Sequence, residues 1–305
     1  MAHRETLPSA HPCRRRAPVG DTLTSTRVRL TSGVLHVESH GLPLNRTILC
    51  VPGLSANCRS FDRFVPALTD AGHRVVSVDL RGRGRSEITP PGSYGWDSHV
   101  RDLAEIADLL GLESFDVIGH SMGGFLGMML AARFPRRCRR LALLDALGTP
   151  EPAALRSVAQ SVSRLGRTYP SAGAALSYVR GSGIIAQWNE FWDNYFAWEL
   201  EPFDDGVRVR TDPGAVAEDS ANAAAHDVYR LWQQLACAVL VIRAKRPMAP
   251  DGGLVVTRDD AARFLAGAVD ASVIDVDADH YSVLLSSPAI AAVVRFLGAA
   301  TGAKP

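Results

Sequence analysis

The chain has 305 residues, 47% of them hydrophobic and 21% charged, with a formal net charge of +1. That length carries one large α/β domain with an insertion and little more. The near-zero charge removes the electrostatic case for a nucleic-acid partner, and no run reaches the roughly 18 to 20 apolar residues that a membrane span requires.

Met1–Ser25 is polar, holds Arg14-Arg15-Arg16 and has no apolar stretch behind its charges. It reads as a disordered leader rather than a secretory signal. Segments 27–30 and 34–38 form an opening antiparallel hairpin around Thr31-Ser32-Gly33, and 47–51 is a short buried strand ending at Pro52-Gly53. A helix is expected over 61–71 and a strand over 74–80. Apolar spacing at Val100, Leu103, Ile106, Leu109 and Leu110 marks a helix over 96–110. The apolar run Phe115-Asp116-Val117-Ile118 is a strand and the stretch from Phe125 to Ala132 a helix, followed by a strand over 140–145. The rhythm then breaks: from about Gly148 to Ala225 no strand is evident, and Trp188, Phe191, Trp192, Tyr195, Phe196, Trp198 and Phe203 crowd one region. This reads as a helical insertion. A strand over 238–242, a helix over 257–268, a strand over 271–276 and a helix over 288–297 complete an alternation that implies a mostly parallel sheet covered by helices. The expected layout is a leader over 1–25, a core over 26–147 and 226–300, and a cap over 148–225.

Between the strand at 115 and the helix at 125 lies Gly119-His120-Ser121-Met122-Gly123-Gly124. The pattern G-x-S-x-G on a sharp strand-to-helix turn is a nucleophile elbow. The turn strains the serine backbone, and side chains two positions either side would collide, which is why glycines stand there. The helix beginning at Met122 aims free N–H groups at any anion formed beside Ser121.

With these segments in order, the chain resembles the α/β-hydrolase superfamily with a helical cap over about Arg27 to Leu297. Four ordered stretches carry the likeness: Val51-Pro52-Gly53-Leu54, the run from Asp79 to Ser86, the elbow, and Asp279-His280-Tyr281 after the last strand. The resemblance implies a mostly parallel eight-stranded sheet with the cap inserted after the sixth strand. It implies Ser121 as nucleophile and His280 as base. The family usually takes its acid from the loop after the strand at 238–242, where this chain has Arg243-Ala244-Lys245-Arg246-Pro247. Two candidates remain: Asp145, one strand earlier, as in haloalkane dehalogenases and some lipases, and Asp251, a few residues later. The family pattern assigns the oxyanion donors to the N–H groups of Leu54 and Met122. Pro52 stands where relatives often have histidine, and leaves the Leu54 N–H in place. The Asp79–Ser86 run, despite its arginines, lacks the glycine spacing of a phosphate loop and is expected to be a structural turn. Cys50 and Cys58 are expected as buried filler.

The five cysteines are scattered, odd in number and without metal-ligand spacing, so free thiols, no metal and a cytoplasmic protein are expected. No cofactor is implied, and the assembly is expected to be a monomer or homodimer. The aromatic cluster serves the cap's own core and also a pocket roof, with Trp188, Trp192, Phe196 and Trp198 as lining and a hydrophobic small molecule as substrate. The leading reading is a serine hydrolase of an ester, lactone or thioester. A second keeps the site for elimination, acyl transfer or C–C cleavage in natural-product tailoring. A third is a non-catalytic binding protein on the same scaffold.

Overall fold

The structure, a computed structural model, describes residues 23–43, 45–249 and 252–298. Strands β1 (Thr24–Leu30) and β2 (Gly33–His40) form the opening hairpin, and β3 (Arg46–Val51) and β4 (His73–Val78) follow. Of the leader only Leu23 to Ser25 lie within the described residues, and Thr24 and Ser25 belong to β1. Between β3 and β4 the expected helix over 61–71 is shorter: a 3-10 turn, Cys58–Phe61, precedes α1 (Val65–Asp70). Pro66 sets that start, because a residue without an N–H fits a helix only in its first turn.

Helix α2 (Trp96–Leu109), β5 (Phe115–His120), α3 (Met122–Arg133) and β6 (Cys138–Leu144) come next. After the cap lie α8 (Val228–Trp232), β10 (Ala238–Ala244), α9 (Arg258–Gly267), β11 (Ala271–Val276) and α10 (Ser287–Gly298). The eight strands form one sheet in the order β1-β2-β4-β3-β5-β6-β10-β11. Pairing is antiparallel at β1–β2 and β2–β4 and parallel from β4 to β11. The central β5 is buried along its whole length, as expected of a parallel strand covered on both faces.

Alternation along the strands divides the core. Leu49 and Val51 face the side covered by α2, α3 and α9. Ile48 and Cys50 face the side covered by α1 and α10, since successive strand residues point to opposite faces. Each fully buried Leu, Ile or Val there contributes about 1.5–3 kcal/mol relative to exposure. This tight packing holds the C-terminal ends of β3, β5, β6 and β10 in register, and the loops leaving those ends build the site.

The insertion after the sixth strand holds α4 (Pro152–Val162), α5 (Ala172–Gly181), α6 (Glu190–Trp198) and α7 (Pro213–Ala223). It also holds three short strands, contrary to the strandless expectation: β7 (Thr168–Tyr169), β8 (Leu200–Phe203) and β9 (Gly206–Val209), an antiparallel sheet in the order β7-β9-β8. These strands are two to four residues long, and β8 and β9 carry Glu201, Pro202 and Arg208, so the only apolar alternation in them, Val207-Arg208-Val209, is too short to mark a strand. Asp204, with φ 51°, turns the hairpin, and Glu201 braces it through Arg208 (2.8 Å) and Arg210 (3.0 Å).

Candidate active site

Ser121 is the single residue between β5 and α3, with φ 54° and ψ −126°. A left-handed φ at a non-glycine residue costs about 1–3 kcal/mol and persists only where its surroundings enforce it. Here the Ser121 N–H donates to Leu144 O (3.2 Å), and its carbonyl accepts from Gly124 N (2.8 Å). A Cβ at Gly119 would strike the Gly123 carbonyl, and one at Gly123 would strike the Val51 carbonyl. Only glycine lets the helix start lie this close to the strands. The serine side chain thereby stands at the floor of a cavity.

Asp145 follows β6 directly and also has a left-handed φ, 47°, which aspartate tolerates better than most residues. Its N–H donates to Ile242 O (2.8 Å), and its Oδ1 accepts from Ala244 N (3.0 Å). Its Oδ2 lies 2.8 Å from His280 Nδ1. Asp145 and His280 are 2% and 4% exposed, so this contact is sheltered from water and salt. Asp251 lies outside the described residues. Among the described residues no hydrogen bond joins Ser121 Oγ to the His280 ring, although both line the same cavity.

The His280 loop is tied down by its neighbours. Asp279 Oδ1 accepts from Tyr281 N (3.0 Å) and Ser282 N (2.8 Å), and Val283 and Leu284 are buried beneath. His120 Nε2 lies 2.9 Å from the His280 carbonyl. A carbonyl only accepts, so His120 carries its proton on Nε2 and leaves Nδ1 bare. Burial, with His280 beside it, pushes His120 down to about 3. It is therefore a neutral donor at any ordinary pH. Sequence reasoning passed over His120; the available signal was an imidazole at the end of a buried strand, directly before the elbow serine.

Leu54 and Met122 flank Ser121. Met122 opens α3, so its N–H has no partner within the helix. The Leu54 N–H donates to no backbone carbonyl among the described residues. The Leu54 carbonyl accepts from Arg83 Nε (3.0 Å). Arg83 is fully buried and pairs with Asp219 of α7 (2.5 Å), which also lies 2.8 Å from His99 Nε2. Arg83 thus joins the loop at Leu54 to a cap helix, a link sequence reasoning did not foresee. The rest of the Asp79–Ser86 run is bound into the core. Asp79 accepts from Cys58 N (2.7 Å) and Arg85 N (2.9 Å), and Arg81 forms a fork to Asp102 (2.7 and 2.6 Å). His36, Cys58 and Asp79 bring metal-ligand atoms within 4.8 Å of one another. The Asp79 oxygens there are already taken by those N–H groups and by His36 Nδ1 (2.8 Å), so the cluster locks a turn. Burial raises the thiols of Cys50 and Cys58 and keeps them protonated.

The cavity is partly open to solvent and is lined by apolar and polar side chains together. Trp192 and Phe196, one turn apart on α6, both line it. Trp188 and Trp198 do not, which corrects the expected lining. Trp188 precedes α6, stacks on the Phe196 ring at 5.5 Å and donates to Asp193 (2.9 Å). Trp198 ends α6 on another side, between the guanidinium groups of Arg59 (4.1 Å) and Arg85 (3.5 Å). The lining also includes polar groups that the aromatic pattern gave no reason to expect: Ser60, Ser161, Arg164, Tyr195 and Tyr281. Arg164 is held by Glu199 of the α6–β8 junction (2.7 Å), which also accepts from Asn57 Nδ2 (3.2 Å). No helix among the described residues is long and apolar enough to cross a membrane.

The profile of the alpha/beta hydrolase fold matches residues 46–284. Among curated proteins, the putative carbamate hydrolase RutD of Variovorax paradoxus is 34% identical over 116 residues, 38% of this chain and 44% of that protein. A serine hydrolase-like protein of Danio rerio is 35% identical over 111 residues, 36% of this chain and 32% of that protein. The match thus spans less than half the length of these relatives. Among solved structures, E-2-(acetamidomethylene)succinate hydrolase superposes with TM-score 0.80 at 23% identity, covering 91% of this chain and 100% of the other. The thioesterase domain from the curacin biosynthetic pathway superposes with TM-score 0.73 at 18% identity, covering 90% and 99%. At such identities the superpositions speak for the fold, and the profile match across the sheet, elbow and histidine loop speaks for kinship: the chain belongs to the α/β-hydrolase family.

Proposed function

We propose that the chain is a serine hydrolase that cleaves an ester, lactone or thioester of a mainly hydrophobic small molecule. The observation that carries the reading is the buried Asp145–His280 contact opening on the same cavity as Ser121 in its strained elbow. In this reading Ser121 Oγ attacks the substrate carbonyl while His280 Nε2 takes its proton. Asp145 holds the ring with Nδ1–H toward itself and stabilises the imidazolium. The N–H groups of Leu54 and Met122 receive the negative oxygen. His280 then returns the proton to the leaving oxygen or sulfur, and the leaving group departs. Water, deprotonated by His280, cleaves the acyl-enzyme and restores Ser121.

Labelling by a fluorophosphonate tests this reading. A covalent adduct on Ser121, absent in Ser121→Ala, is expected; no adduct would favour a non-catalytic binding protein on the same scaffold. The apolar walls at Trp192 and Phe196 favour a second reading, in which the acyl-enzyme passes to another acceptor or the site performs elimination or C–C cleavage. Turnover in isotopically labelled water separates hydrolysis from elimination and acyl transfer, since only attack by water places the label in a product acid, and the carbon skeletons of the products separate C–C cleavage from both. The scattered, odd-numbered cysteines support a reducing compartment such as the cytoplasm.

A further inference from the structure

Two cysteines far apart in the chain meet at the end of the sheet opposite the elbow. Cys138 opens β6 and Cys237 directly precedes β10, whereas Ser121 and Asp145 follow the other ends of β5 and β6. A bulge brings the two thiols together. β6 pairs with β5 as Phe115↔Cys138 and then as Asp116↔Arg140, so Arg139 is an extra residue. Past the bulge, Leu141 and Leu143 face the side covered by α2, α3 and α9, and the extra residue puts Cys138 on that same side. On β10, Val239 and Val241 face it too, and Cys237, two residues before Val239, packs there as well. The pairing of Ala238 with Arg140 then sets Cys237 beside Cys138. Neighbouring strands lie about 4.8 Å apart, inside the roughly 4.4–6.8 Å between Cα atoms that a disulfide requires. The two thiols, both free, hydrogen-bond to each other, and the Cys138 sulfur also lies 3.6 Å from the Arg140 carbonyl.

The pair is asymmetric. Cys138 is 2% exposed and Cys237 is partly exposed, so a reagent reaches Cys237 first. The bond from Cys138 holds the Cys237 thiol below its ordinary value, while the same bond and burial raise Cys138. The thiolate is the attacking form, so ease of ionisation and access favour the same sulfur. Asp116, whose charge opposes a thiolate at either position, is itself paired with Arg46 (3.5 Å) and Arg139 (3.2 Å). We propose that Cys138 and Cys237 are a reversible redox pair: a small-molecule disulfide modifies Cys237, and Cys138 then closes an intrachain disulfide that staples β6 to β10. The Cys237 thiolate attacks one sulfur of the reagent R–S–S–R and expels RS⁻, leaving Cys237–S–S–R. Cys138 yields its proton, and its sulfur attacks the Cys237 sulfur and expels the second RS⁻. Two protein thiols are thereby oxidised, and one reagent disulfide is reduced to two thiols, which take up the two protons. The helices α4 to α7 of the cap all lie between the two cysteines in sequence. The staple therefore closes a loop of about 100 residues, long enough to constrain the unfolded chain strongly. At their far ends the same two strands hold the acid, because Asp145 accepts from Ala244 N (3.0 Å). In a reducing compartment such a bond forms only transiently, under oxidation, and no step of it uses Ser121.

The test treats the reduced full-length chain with glutathione disulfide, well below its melting temperature, and maps each cysteine by digestion without reducing agent. A Cys138–Cys237 cross-link is expected as the end product. Cys50 and Cys58 are expected to remain thiols, because burial keeps them protonated. Cys138→Ala is expected to stop at glutathione on Cys237, and Cys237→Ala to leave Cys138 unmodified. Acid quenching of the native chain reaches the same intermediate without a substitution: a transient adduct on Cys237 is expected before the cross-link appears. The cross-link is expected to raise the melting temperature by about 5 °C or more, a rise that dithiothreitol reverses and that neither variant shows. No reaction at Cys237, or a glutathione adduct that persists there in the native chain, would overturn the pairing. An adduct that appears first on Cys138 would overturn the order of attack. Cross-links through Cys50 or Cys58 would show that the thiols react from an opened chain and not from this contact. A cross-linked protein that melts no higher than the reduced one would overturn the staple.

Discussion

The sheet edge and the cap face each other across one cavity, but they hold their side chains by different means. On the sheet side, Ser121 and Asp145 are the residues directly after β5 and β6, and each has a left-handed φ enforced by backbone hydrogen bonds to a neighbouring strand. On the cap side, Trp192, Phe196 and Arg164 are placed by side-chain packing and by the Arg164–Glu199 pair. Backbone-set positions fix where a reacting atom sits. Side-chain-set positions can change with a few substitutions, which suits an element that selects a substrate. If that division is right, damage to the sheet side should strike turnover of every substrate, and damage to the cap should strike discrimination.

The largest effect is expected from Ser121→Ala, a loss of about 10⁴- to 10⁶-fold in kcat with little change in melting temperature. Retained turnover would show that the chemistry lies elsewhere. Asp145→Asn is next, with a loss of about 10³- to 10⁴-fold, because an amide no longer favours the Nδ1–H tautomer of His280. Steady-state kinetics on the smallest ester that turns over is the measurement. Near-native rates in Asp145→Asn would move the acid away from Asp145 and back to Asp251.

How much of this was legible beforehand follows the same division. The elbow, the histidine loop and the eight strands were readable, because glycines at close contacts and apolar runs in buried strands are local signals. Asp145 was readable only as one of two candidates; what brings it against His280 is its left-handed turn and the parallel pairing of β6 with β10, neither of which has a sequence signature. In the cap, the aromatic run gave the roof but not its orientation: Trp188 and Trp198 look equivalent to Trp192 in sequence, but Trp188 falls before α6, and Trp198 ends the helix on another side, where arginines meet it. The pairing of β7 with β9 and the Arg83–Asp219 and Arg164–Glu199 pairs join positions far apart in the chain. No local pattern announces them.

Arg83→Met crosses the boundary between the two regions. It removes the donor that holds the Leu54 carbonyl and leaves Asp219 and His99 without their cation. A fall of about 10- to 100-fold in kcat is expected from a misdirected oxyanion loop. A loss of about 3–5 kcal/mol in urea unfolding is expected from the unpaired buried carboxylate. Unchanged kcat in a folded variant would show that the loop keeps its aim without Arg83. On the cap side, Trp192→Ala is expected to alter the ratio of bulky to small ester turnover by about tenfold, since truncation opens space directly above Ser121. Trp198→Ala, outside the cavity, is expected to leave that ratio within about twofold. Equal effects of both substitutions would dissolve the distinction between roof and flank.

The smallest effect concerns His120, where the sheet side meets the base. In the folded chain burial holds its pKa at about 3, whereas in the unfolded chain it returns to about 6.5. Below about pH 6.5 the unfolded state therefore binds a proton that the native state refuses, so stability falls as pH falls, and above that pH the residue contributes no slope. The slope from one histidine reaches at most about 1.4 kcal/mol per pH unit. Buried His99, also lowered, acts in the same direction. His120→Asn is expected to remove one proton from the dependence and flatten the fall in urea-unfolding free energy between about pH 6.5 and 4.5. An unchanged slope would mean that the native state accepts the proton on Nδ1. The hydrogen bond to the His280 carbonyl survives that protonation, because Nε2 donates in both forms.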